Sequence, residues 1–371
     1  MNGQGKAFSK DKTGVQVAVY YFPNWGPVAS SEWKLIQAAK PMFEGHQQPK
    51  IPLWGYENEN LPEVMAKKID AAADHGIDAF IFDWYYFDPE QGGKYLHKAL
   101  EQGYLKAPNN KRLKFSIMWC NHNVGPHKKG AVRPETFEAM TDYIIETYFR
   151  HPSYWKVNGA PYFSIYQLKT LLETFSGDFK KMKQALERFR YKVKKAGFPD
   201  LHLNGVLFGM TDSLIAESGR HALLNSLTSY TWLHHYPLPN MPASDYTAWG
   251  NKYMHAVNHG GAYNGLSRPA SQLPFPYHIN VSMGWDSSPR CKNDPDWGRK
   301  KGYPFGPVAR NNTPEHFERF LIRAKQDMLS TDSSNRIITI NSWNEWGEGS
   351  YLEPEAVYGM RYLEAIKKVF N

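Results

Sequence analysis

The chain has 371 residues, of which 42% are hydrophobic, 15% aromatic and 22% charged, and its formal net charge at pH 7 is +8. This apolar content excludes a disordered chain, and the two cysteines and the non-periodic glycines exclude a disulfide scaffold and a collagen-like fibre. The basic residues are scattered rather than grouped in a stripe, so nucleic acid is not the expected partner. No apolar run approaches the length of about 18 residues that a membrane span needs.

Short apolar runs alternate with longer helical patterns along the chain, which is typical of the βα units that build a parallel sheet. Strands are predicted over residues 15–21, 79–82, 115–119, 162–166, 203–208, 227–232, 278–283 and 337–343. Helices are predicted over residues 62–75, 134–149, 179–195, 314–329 and 356–369. Pro62 suits the first turn of its helix, Gly76 suits the stop behind it, and Thr313 is expected to cap a later helix.

Eight strand–helix units on a chain of this length predict an α/β fold, a single (β/α)8 TIM barrel with long βα loops. We expect the barrel to occupy residues 15–371 behind a flexible tail at 1–14. A doubly wound open sheet is the alternative. That fold normally carries a glycine-rich phosphate turn after an early strand, and this sequence has none.

Aromatic and hydrogen-bonding residues recur where the predicted strands end, which in a TIM barrel is where the chemistry lies. These candidate substrate-binding residues are Tyr20, Tyr21, Asp83, Trp84, Tyr85, Trp119, Asn121, His122, Tyr166, Trp232, His234, Trp285, Asp286, Trp343 and Asn344. Sugar rings present apolar C–H faces and a rim of hydroxyls, so a carbohydrate site needs aromatic platforms beside such polar groups. For any one aromatic residue, packing against the loops above the core is the alternative.

The most specific motif is NSWNEWGEG at residues 341–349, which places Glu345 and Glu348 directly after the last predicted strand. Glycosidic cleavage needs one group to protonate the leaving oxygen and another to assist at the anomeric carbon. A carboxyl group held against indole faces has a raised pKa, which suits an acid. The alternative is that Glu348 caps the following loop and Glu345 is a solvated surface acid.

Other catalytic constellations are weaker. The sequence has no G-x-S-x-G elbow for a serine nucleophile. His122, His234 and His235 match no zinc-binding spacing, and Asp294 and Asp296 lack the glycine and glutamate of a calcium loop. We therefore expect no metal and no cofactor.

Four segments together resemble the WbsX-like proteins of glycan metabolism, which are related to glycoside hydrolase family 99. They are AKPMFEGHQQP at 39–49, PEVM through HGIDAF at 62–80, GWDSSPR at 284–290 and WNEWGEG at 343–349. The resemblance implies a (β/α)8 barrel that cleaves α-mannosidic bonds within glycans with retention and without a metal. It also implies that Glu345 deprotonates the 2-hydroxyl of the substrate, giving a 1,2-anhydro sugar, and that Glu348 is the general acid.

Two departures from the family pattern concern the sugar. Gly347 stands where family 99 carries a histidine, which removes one polar contact beside the acid. WbsX-like chains often read W-A-N-E after the third strand, whereas this chain reads WCNH at 119–122. His122 therefore replaces an acid, and the bound sugar is not assumed to be mannose.

These features predict a retaining glycoside hydrolase that acts on a poly- or oligosaccharide, with Glu348 as acid and Glu345 as base. The alternative is a glycosyltransferase of surface-polysaccharide biosynthesis, a label that WbsX-like genes have long carried. The chain has no D-x-D motif before a loop and no phosphate-cradling turn to support that alternative. A non-catalytic glycan-binding barrel is the third reading, but binding alone does not require a paired acid and base.

Basic residues in two predicted loops suggest that the glycan is anionic, through contacts with a uronate, sulfate or phosphate group. They are His127, Lys128, Lys129, Arg290, Arg299 and Lys301. The segment 1–12 is polar and shows no secretory signal. The company that such enzymes keep favours a periplasmic or secreted protein whose signal has been removed, with the cytoplasm as the alternative.

Overall fold

The computed structural model describes residues 14–291, 294, 297, 302–304, 306–331 and 335–371. The predicted tail lies outside the described residues up to position 13, as do Asp296, Arg299 and Lys301. The described part of the chain forms a barrel with helices around it and long loops above it.

Eight parallel strands of the described chain, β1 to β8, pair in sequence order and close into a barrel. They are Gln16–Tyr21, Ala79–Tyr86, Lys114–Trp119, Ala160–Ile165, His202–Val206, Ser226–Thr228, Tyr277–Ser282 and Ile337–Asn341. Closure comes from β1, which pairs with β2 at Val19 and Phe80 and with β8 at Val17 and Ile338. The predicted (β/α)8 barrel is therefore confirmed.

Helices surround the barrel and join its strands. In chain order, α1 to α9 are Ser31–Ala38, Pro62–Asp74, Pro134–Ile144, Leu168–Thr174, Phe179–Lys195, Asp212–Arg220, Tyr246–His259, Pro314–Leu329 and Arg361–Phe370. Proline occupies the first turn of α2, α3 and α8, and the Thr313 hydroxyl accepts a hydrogen bond from the His316 amide, as its predicted capping role requires. Within the described residues, every helix is too short or too polar to cross a membrane.

Short strands in the loops complete the secondary structure. They are Lys94–Tyr95, Lys156–Val157, Ala243–Asp245, Val308–Arg310, Asn344–Glu345 and Ser350–Tyr351. The last two pair with each other in antiparallel fashion and hold the loop that carries the two motif glutamates.

Some boundaries differ from the predicted ones. Strand β6 ends at Thr228, and the chain then enters a 3-10 turn over Trp232–His234. The third helix ends at Ile144 and continues as a π-helical turn over Ile145–Phe149. The sequence does not predict α1, α4 and α6 because elements of 8, 7 and 9 residues are too short to show a helical period. It does not predict α7 either, because glycine in the middle of that segment disfavours a helix.

Side chains along the barrel strands alternate between the barrel interior and the layer beneath the helices, because successive residues of a strand point to opposite faces. In β1, Tyr20 belongs to the interior cluster and Tyr21 to the outer one. In β3, Met118 lies inside and Trp119 lies outside. This alternation decides which strand-end residues reach the space above the barrel.

Candidate active site

A cavity of about 560 Å³ opens at the carboxyl-terminal ends of the barrel strands. Half of the residues that the sequence singles out line it, namely Asp83, Tyr85, His122, Tyr166, His234, Trp285, Arg290, Glu345 and Glu348. They come from strands and loops spread over the whole chain, so the barrel brings them together as its topology predicts.

Glu345 lies in the short strand that follows β8, and only 5% of its surface is exposed. Its amide donates a hydrogen bond to the Ser342 hydroxyl at 3.0 Å, which in turn donates to the Ser350 carbonyl at 2.6 Å. The turn then closes at Gly349, whose φ of +63° and close approach to Asp286 leave no room for a side chain. The backbone thus fixes the carboxyl group of Glu345 at the cavity wall.

One hydroxyl group joins two carboxyl groups in the cavity. Tyr230 lies 2.9 Å from Asp83 Oδ2 and 3.1 Å from Glu345 Oε1. A single hydroxyl proton can serve only one of these contacts, so the other contact requires a proton on the carboxyl group. Burial raises the pKa of Asp83 well above its usual range, and the charge of Glu348 raises it further. The arrangement therefore keeps a proton within the Asp83–Tyr230–Glu345 group.

The two motif glutamates both have raised pKa values. Burial is the main cause for Glu345, the charge of Glu348 adds to it, and the Arg290 guanidinium opposes it. Burial also raises the pKa of Glu348, while Arg290 and a hydrogen bond from the Tyr303 hydroxyl lower it. Two neighbouring carboxyl groups that cannot both ionise easily share one proton, as an acid–base pair requires.

Arg290 is the cation nearest to this pair among the described residues. Its Nη2 lies 3.8 Å from Glu345 Oε2, and its Nη1 lies 3.3 Å from Glu32 Oε2. The guanidinium also lies 5.9 Å from the ring centre of Phe22. Helix α1 contributes Glu32, so the first βα loop takes part in the site.

A buried network holds the loop that carries Arg290. Asp286 accepts hydrogen bonds from His46 Nε2 at 2.9 Å, Gln48 Nε2 at 2.8 Å and the Ser288 hydroxyl at 2.6 Å. Burial by itself would raise the pKa of Asp286, but the His46 hydrogen bond, the charge of Lys50 and the Ser288 hydrogen bond together outweigh burial and lower the pKa. Two of the segments that carry the family resemblance, 39–49 and 284–290, are therefore joined by buried hydrogen bonds.

A second buried network lies behind the loop of the two glutamates. Lys68 of α2 is fully buried, and its Nζ lies 2.7 Å from both Glu59 and Glu353. Glu59 also accepts a hydrogen bond from the Asn344 side chain at 2.7 Å, and Glu353 accepts one from the Trp346 indole at 3.1 Å. The residues on either side of Glu345 are thus tied to one buried lysine.

Apolar and uncharged side chains also line the cavity. Met118, Phe208 and Leu233 line it, and the His234 ring stacks on Phe208 with ring centres 4.1 Å apart. Burial lowers the pKa of His122 and of His234, so both imidazoles are uncharged at neutral pH.

Nine predicted binding residues do not line the cavity, namely Tyr20, Tyr21, Trp84, Trp119, Asn121, Trp232, Asp286, Trp343 and Asn344. Tyr21, Trp84, Trp119 and Trp343 point outward, into the core beneath the helices, because each sits on the outer phase of its strand or strand end. Their predicted contact with sugar is therefore corrected to a packing role.

The other five are also used by the fold. Tyr20 lies in the barrel interior, and Asn121 makes two hydrogen bonds with the Gln167 backbone, each of 2.8 Å. Trp232 follows the early end of β6 and packs among the aromatic residues of α7. Asp286 and Asn344 belong to the two buried networks.

Several cavity residues escape the sequence analysis. They are Phe22, Asn24, Glu32, Tyr95, Leu96, Met118, Cys120, Asn123, Val124, Gly125, Phe208, Tyr230, Thr231, Leu233 and Tyr303. A period-two pattern carried on from each strand would have found Met118 and Cys120 beside the outward Trp119. Glu32 has no such signal, because it belongs to a helix inside a long loop.

Among the described residues, the lining of the cavity is acidic. Its described lining includes the carboxyl groups of Glu32, Asp83, Glu345 and Glu348 against the single guanidinium of Arg290. The loop residues 127–129 are not part of the described lining, although they were expected to meet an anionic glycan. Within the described residues, no group of three or more His, Cys, Asp or Glu side chains could hold a metal ion.

Solved structures with this fold include the family 99 endo-α-mannosidase of Bacteroides thetaiotaomicron in complex with bis-tris-propane. It aligns with a TM-score of 0.57 and 16% sequence identity over 95% of each chain. A structure described as a glycoside hydrolase-like protein aligns with a TM-score of 0.63 and 14% identity, covering 99% of this chain and 97% of that one. At these identities the likeness establishes a shared fold.

Among curated proteins, the uncharacterized protein WxcX of Xanthomonas campestris pv. campestris is 25% identical over 379 residues. The match covers 96% of this chain but 49% of the relative, so the chain spans about half the length of that protein. The sequence profile described as Glycosyltransferase WbsX matches residues 23–366, which is most of the chain. The chain therefore belongs to the Glycosyltransferase WbsX family.

Proposed function

We propose that this protein is a retaining glycoside hydrolase that cleaves a glycosidic bond in a poly- or oligosaccharide. The observation that carries the proposal is the buried pair Glu345 and Glu348, whose pKa values are both raised, in an aromatic cavity at the strand ends. The fold shared with a family 99 endo-α-mannosidase supports it.

In the proposed reaction Glu348 protonates the leaving oxygen while Glu345 takes the proton of the sugar 2-hydroxyl. The bond from C1 to the leaving oxygen breaks as O2 bonds to C1, which gives a 1,2-anhydro sugar. Water then attacks C1 and the bond from C1 to O2 breaks, while Glu348 takes a proton from the water and Glu345 returns its proton to O2. Among the described residues, Glu345 Oε2 has no hydrogen-bond partner and is available for this exchange.

We also propose that the substrate is a neutral glycan rather than the anionic one that the basic loops suggest. Four carboxyl groups face one guanidinium in the described lining, so an anionic sugar would meet net repulsion there.

A protein that cleaves polysaccharides is expected in the periplasm or outside the cell, and fractionation of the source cells tests that location.

The test uses Glu345→Gln and Glu348→Gln on a panel of polysaccharides, with the products identified by mass. Each substitution is expected to lower turnover by at least about a thousandfold, because glutamine can neither accept nor donate the transferred proton. Aryl glycosides with good leaving groups need little acid assistance, so they should restore part of the activity of Glu348→Gln but none of that of Glu345→Gln. Near-normal turnover in both variants would refute the assignment.

The matched control is Glu187→Gln, because Glu187 is an exposed glutamate of α5 far from the cavity. This control should retain full activity and the same product pattern. A fall in activity equal to that of the cavity variants would show that the losses do not come from the proposed acid and base.

A glycosyltransferase is the second candidate, because the description of the family names that activity. Such an enzyme must bind a nucleotide-sugar or lipid-linked donor with a diphosphate. The acidic lining opposes this. Calorimetric titration with a panel of nucleotide sugars decides between the two, and submicromolar binding of any of them would favour the transferase.

A further inference from the structure

The guanidinium of Arg290 occupies the space directly beside Gly347. A Cβ atom built on Gly347 would lie 2.8 Å from Nη2 of Arg290 and 2.9 Å from its Cζ and Nε, closer than such atoms approach in proteins. The φ angle of Gly347 is not in the left-handed region, so the backbone conformation does not require glycine here. Glycine is required because any side chain would occupy the space of the Arg290 guanidinium.

Arg290 is held in this position from three sides. Glu32 of α1 pairs with its Nη1 at 3.3 Å, and the Phe22 ring lies beneath the guanidinium. The Asp286 network fixes the backbone of its loop. Only 18% of the Arg290 side chain is exposed, so solvent screens little of the attraction between the guanidinium and the neighbouring carboxylates.

The position of the guanidinium matters because of what else faces the two glutamates. Glu345 meets Asp83, Tyr230, Glu32 and Glu348, so every other charge near it is negative among the described residues. Glu348 meets the Tyr303 hydroxyl and Glu32 in addition to Arg290. Without the guanidinium, four carboxyl groups would share the cavity with no described cation in its lining.

We propose that Arg290 is a positioning residue that favours the ionised form of Glu345, in which Glu345 can accept a proton, and that Gly347 is required because it leaves the space that Arg290 fills. The proposal rests on the proposed function of Glu345 as base. It makes Arg290 and Gly347 one unit, although 57 positions separate them in the sequence. It also assigns a cause to the glycine that stands where family 99 has a histidine.

The first experiment is a double-mutant cycle measured by thermal unfolding, which needs no substrate. Gly347→Ala is expected to lower Tm by at least about 3 °C in the wild-type background, because the new methyl group displaces the guanidinium. In the Arg290→Ala background the space is empty, so the same change should shift Tm by no more than about 1 °C. Gly26→Ala is the matched control, because its Cβ would meet only ordinary contacts at 3.7 Å and beyond.

The second experiment measures kcat/KM against pH on the polysaccharide from the panel that the wild-type chain cleaves. Arg290 favours the ionised form of Glu345, so Arg290→Ala should raise the pKa of the base. The acidic limb of the profile should then move up by about one pH unit, with about a tenfold loss of kcat/KM below it. Gly347→Ala should produce the same movement although the arginine is still present, and Arg290→Lys should move the limb less because it keeps the charge.

An unchanged acidic limb in Arg290→Ala and Gly347→Ala would overturn the positioning role. Equal effects of Gly347→Ala in both backgrounds would overturn the pairing. If Arg290→Ala does not fold, Arg290→Lys serves as the second background, and a loss of Tm on Gly347→Ala that is unaltered there would again count against the pair. Failure of the wild-type chain to cleave any glycan would defeat the proposed function, while the cycle would still decide the pairing.

Discussion

At the scale of single residues, the Tyr230 hydroxyl lies between two carboxyl groups, those of Asp83 and Glu345, whose ionisation is opposed by burial. Among the described residues, the nearest cation to Glu345 is Arg290, whose Nη2 lies 3.8 Å from Glu345 Oε2. Asp83 has no described cation within ion-pair distance. Burial of such groups costs stability whenever they ionise. In the proposed active site the same groups would be available to a substrate.

Asp83→Asn should make the protein more stable at neutral pH, by an amount that grows as the pH rises. The pKa of Asp83 is higher in the folded state than in the unfolded state. Asp83 therefore stabilises the fold fully below its unfolded-state pKa, and this stabilisation is lost as the pH rises through its folded-state pKa. The loss amounts to about 1.4 kcal/mol for each pH unit between the two values. Asparagine does not ionise, so the Asp83→Asn protein does not lose this stability as the pH rises.

The measurement is urea unfolding of both proteins between pH 4.5 and pH 8. Asp142→Asn is the control, because Asp142 is an exposed aspartate of α3 with 63% of its side chain accessible. A stability difference between Asp83→Asn and the wild-type chain that stays constant across this range would contradict the raised pKa.

At the scale of elements, α2 fastens the loop that carries the two glutamates. Its Lys68 lies between Glu59 and Glu353, and burial raises the pKa of Glu59 to about 7. Burial would lower the pKa of Lys68, but the charges of Glu353 and Glu59 outweigh it and raise the pKa overall. The helix thus holds both ends of the loop through one buried charge.

Lys68→Met should destabilise the protein by about 3–5 kcal/mol, because it leaves two buried carboxyl groups without their cation. The adjacent lysine provides the control. Lys67 pairs with Glu57 at 2.5 Å, but its side chain is 38% exposed, so Lys67→Met should cost less than about 1 kcal/mol. Chemical denaturation measures both.

A further combination separates charge from packing. Adding Glu59→Gln and Glu353→Gln to Lys68→Met should recover part of the lost stability, because the uncompensated charges are then gone. Equal losses in the two lysine variants, or no recovery in the triple variant, would show that the buried lysine does not hold the network.

At the scale of the whole molecule, the last helix completes the ring around the barrel. Helix α9 packs against α8 and contacts α2, so it covers the seam where β8 meets β1. It buries six of its residues, and Lys325 of α8 donates a hydrogen bond to the Val369 carbonyl at 2.6 Å. The stability of the closed barrel therefore depends on this helix.

Leu363→Ala should lower the free energy of unfolding by about 2–5 kcal/mol, because Leu363 is fully buried and the substitution leaves a cavity. Glu364→Ala, at the exposed neighbouring position, should change it by no more than about 0.5 kcal/mol. Urea unfolding measures both variants, and similar losses in the two would contradict the sealing role of α9.

Much of this architecture follows from local patterns. The apolar runs predict all eight barrel strands, and α5 begins and ends as predicted, because a strand or an amphipathic helix is encoded in neighbouring residues. The NSWNEWGEG segment likewise indicates the two glutamates, because spacing and position after a strand are sequence properties. The strands, the helix and the two glutamates can therefore be predicted without knowing which residues pack against them.

Other features depend on the tertiary structure. The sequence alone groups Trp84 with Asp83 and Tyr85, whereas the pleat sends Trp84 outward and its neighbours to the cavity. Which phase of a strand faces inward is settled by packing against the helices, not by the strand itself.

By itself, the sequence predicted the closed barrel and the position of Glu345 and Glu348 at its strand ends, where we propose the active site. Only the tertiary structure decided what surrounds that pair. Glu32, Arg290 and Glu345 meet across more than 300 positions of chain, and Tyr230 reaches Glu345 from the loop that follows β6. Such contacts depend on distances in space, and the electrostatics of a buried site depends on those distances and on the exclusion of water.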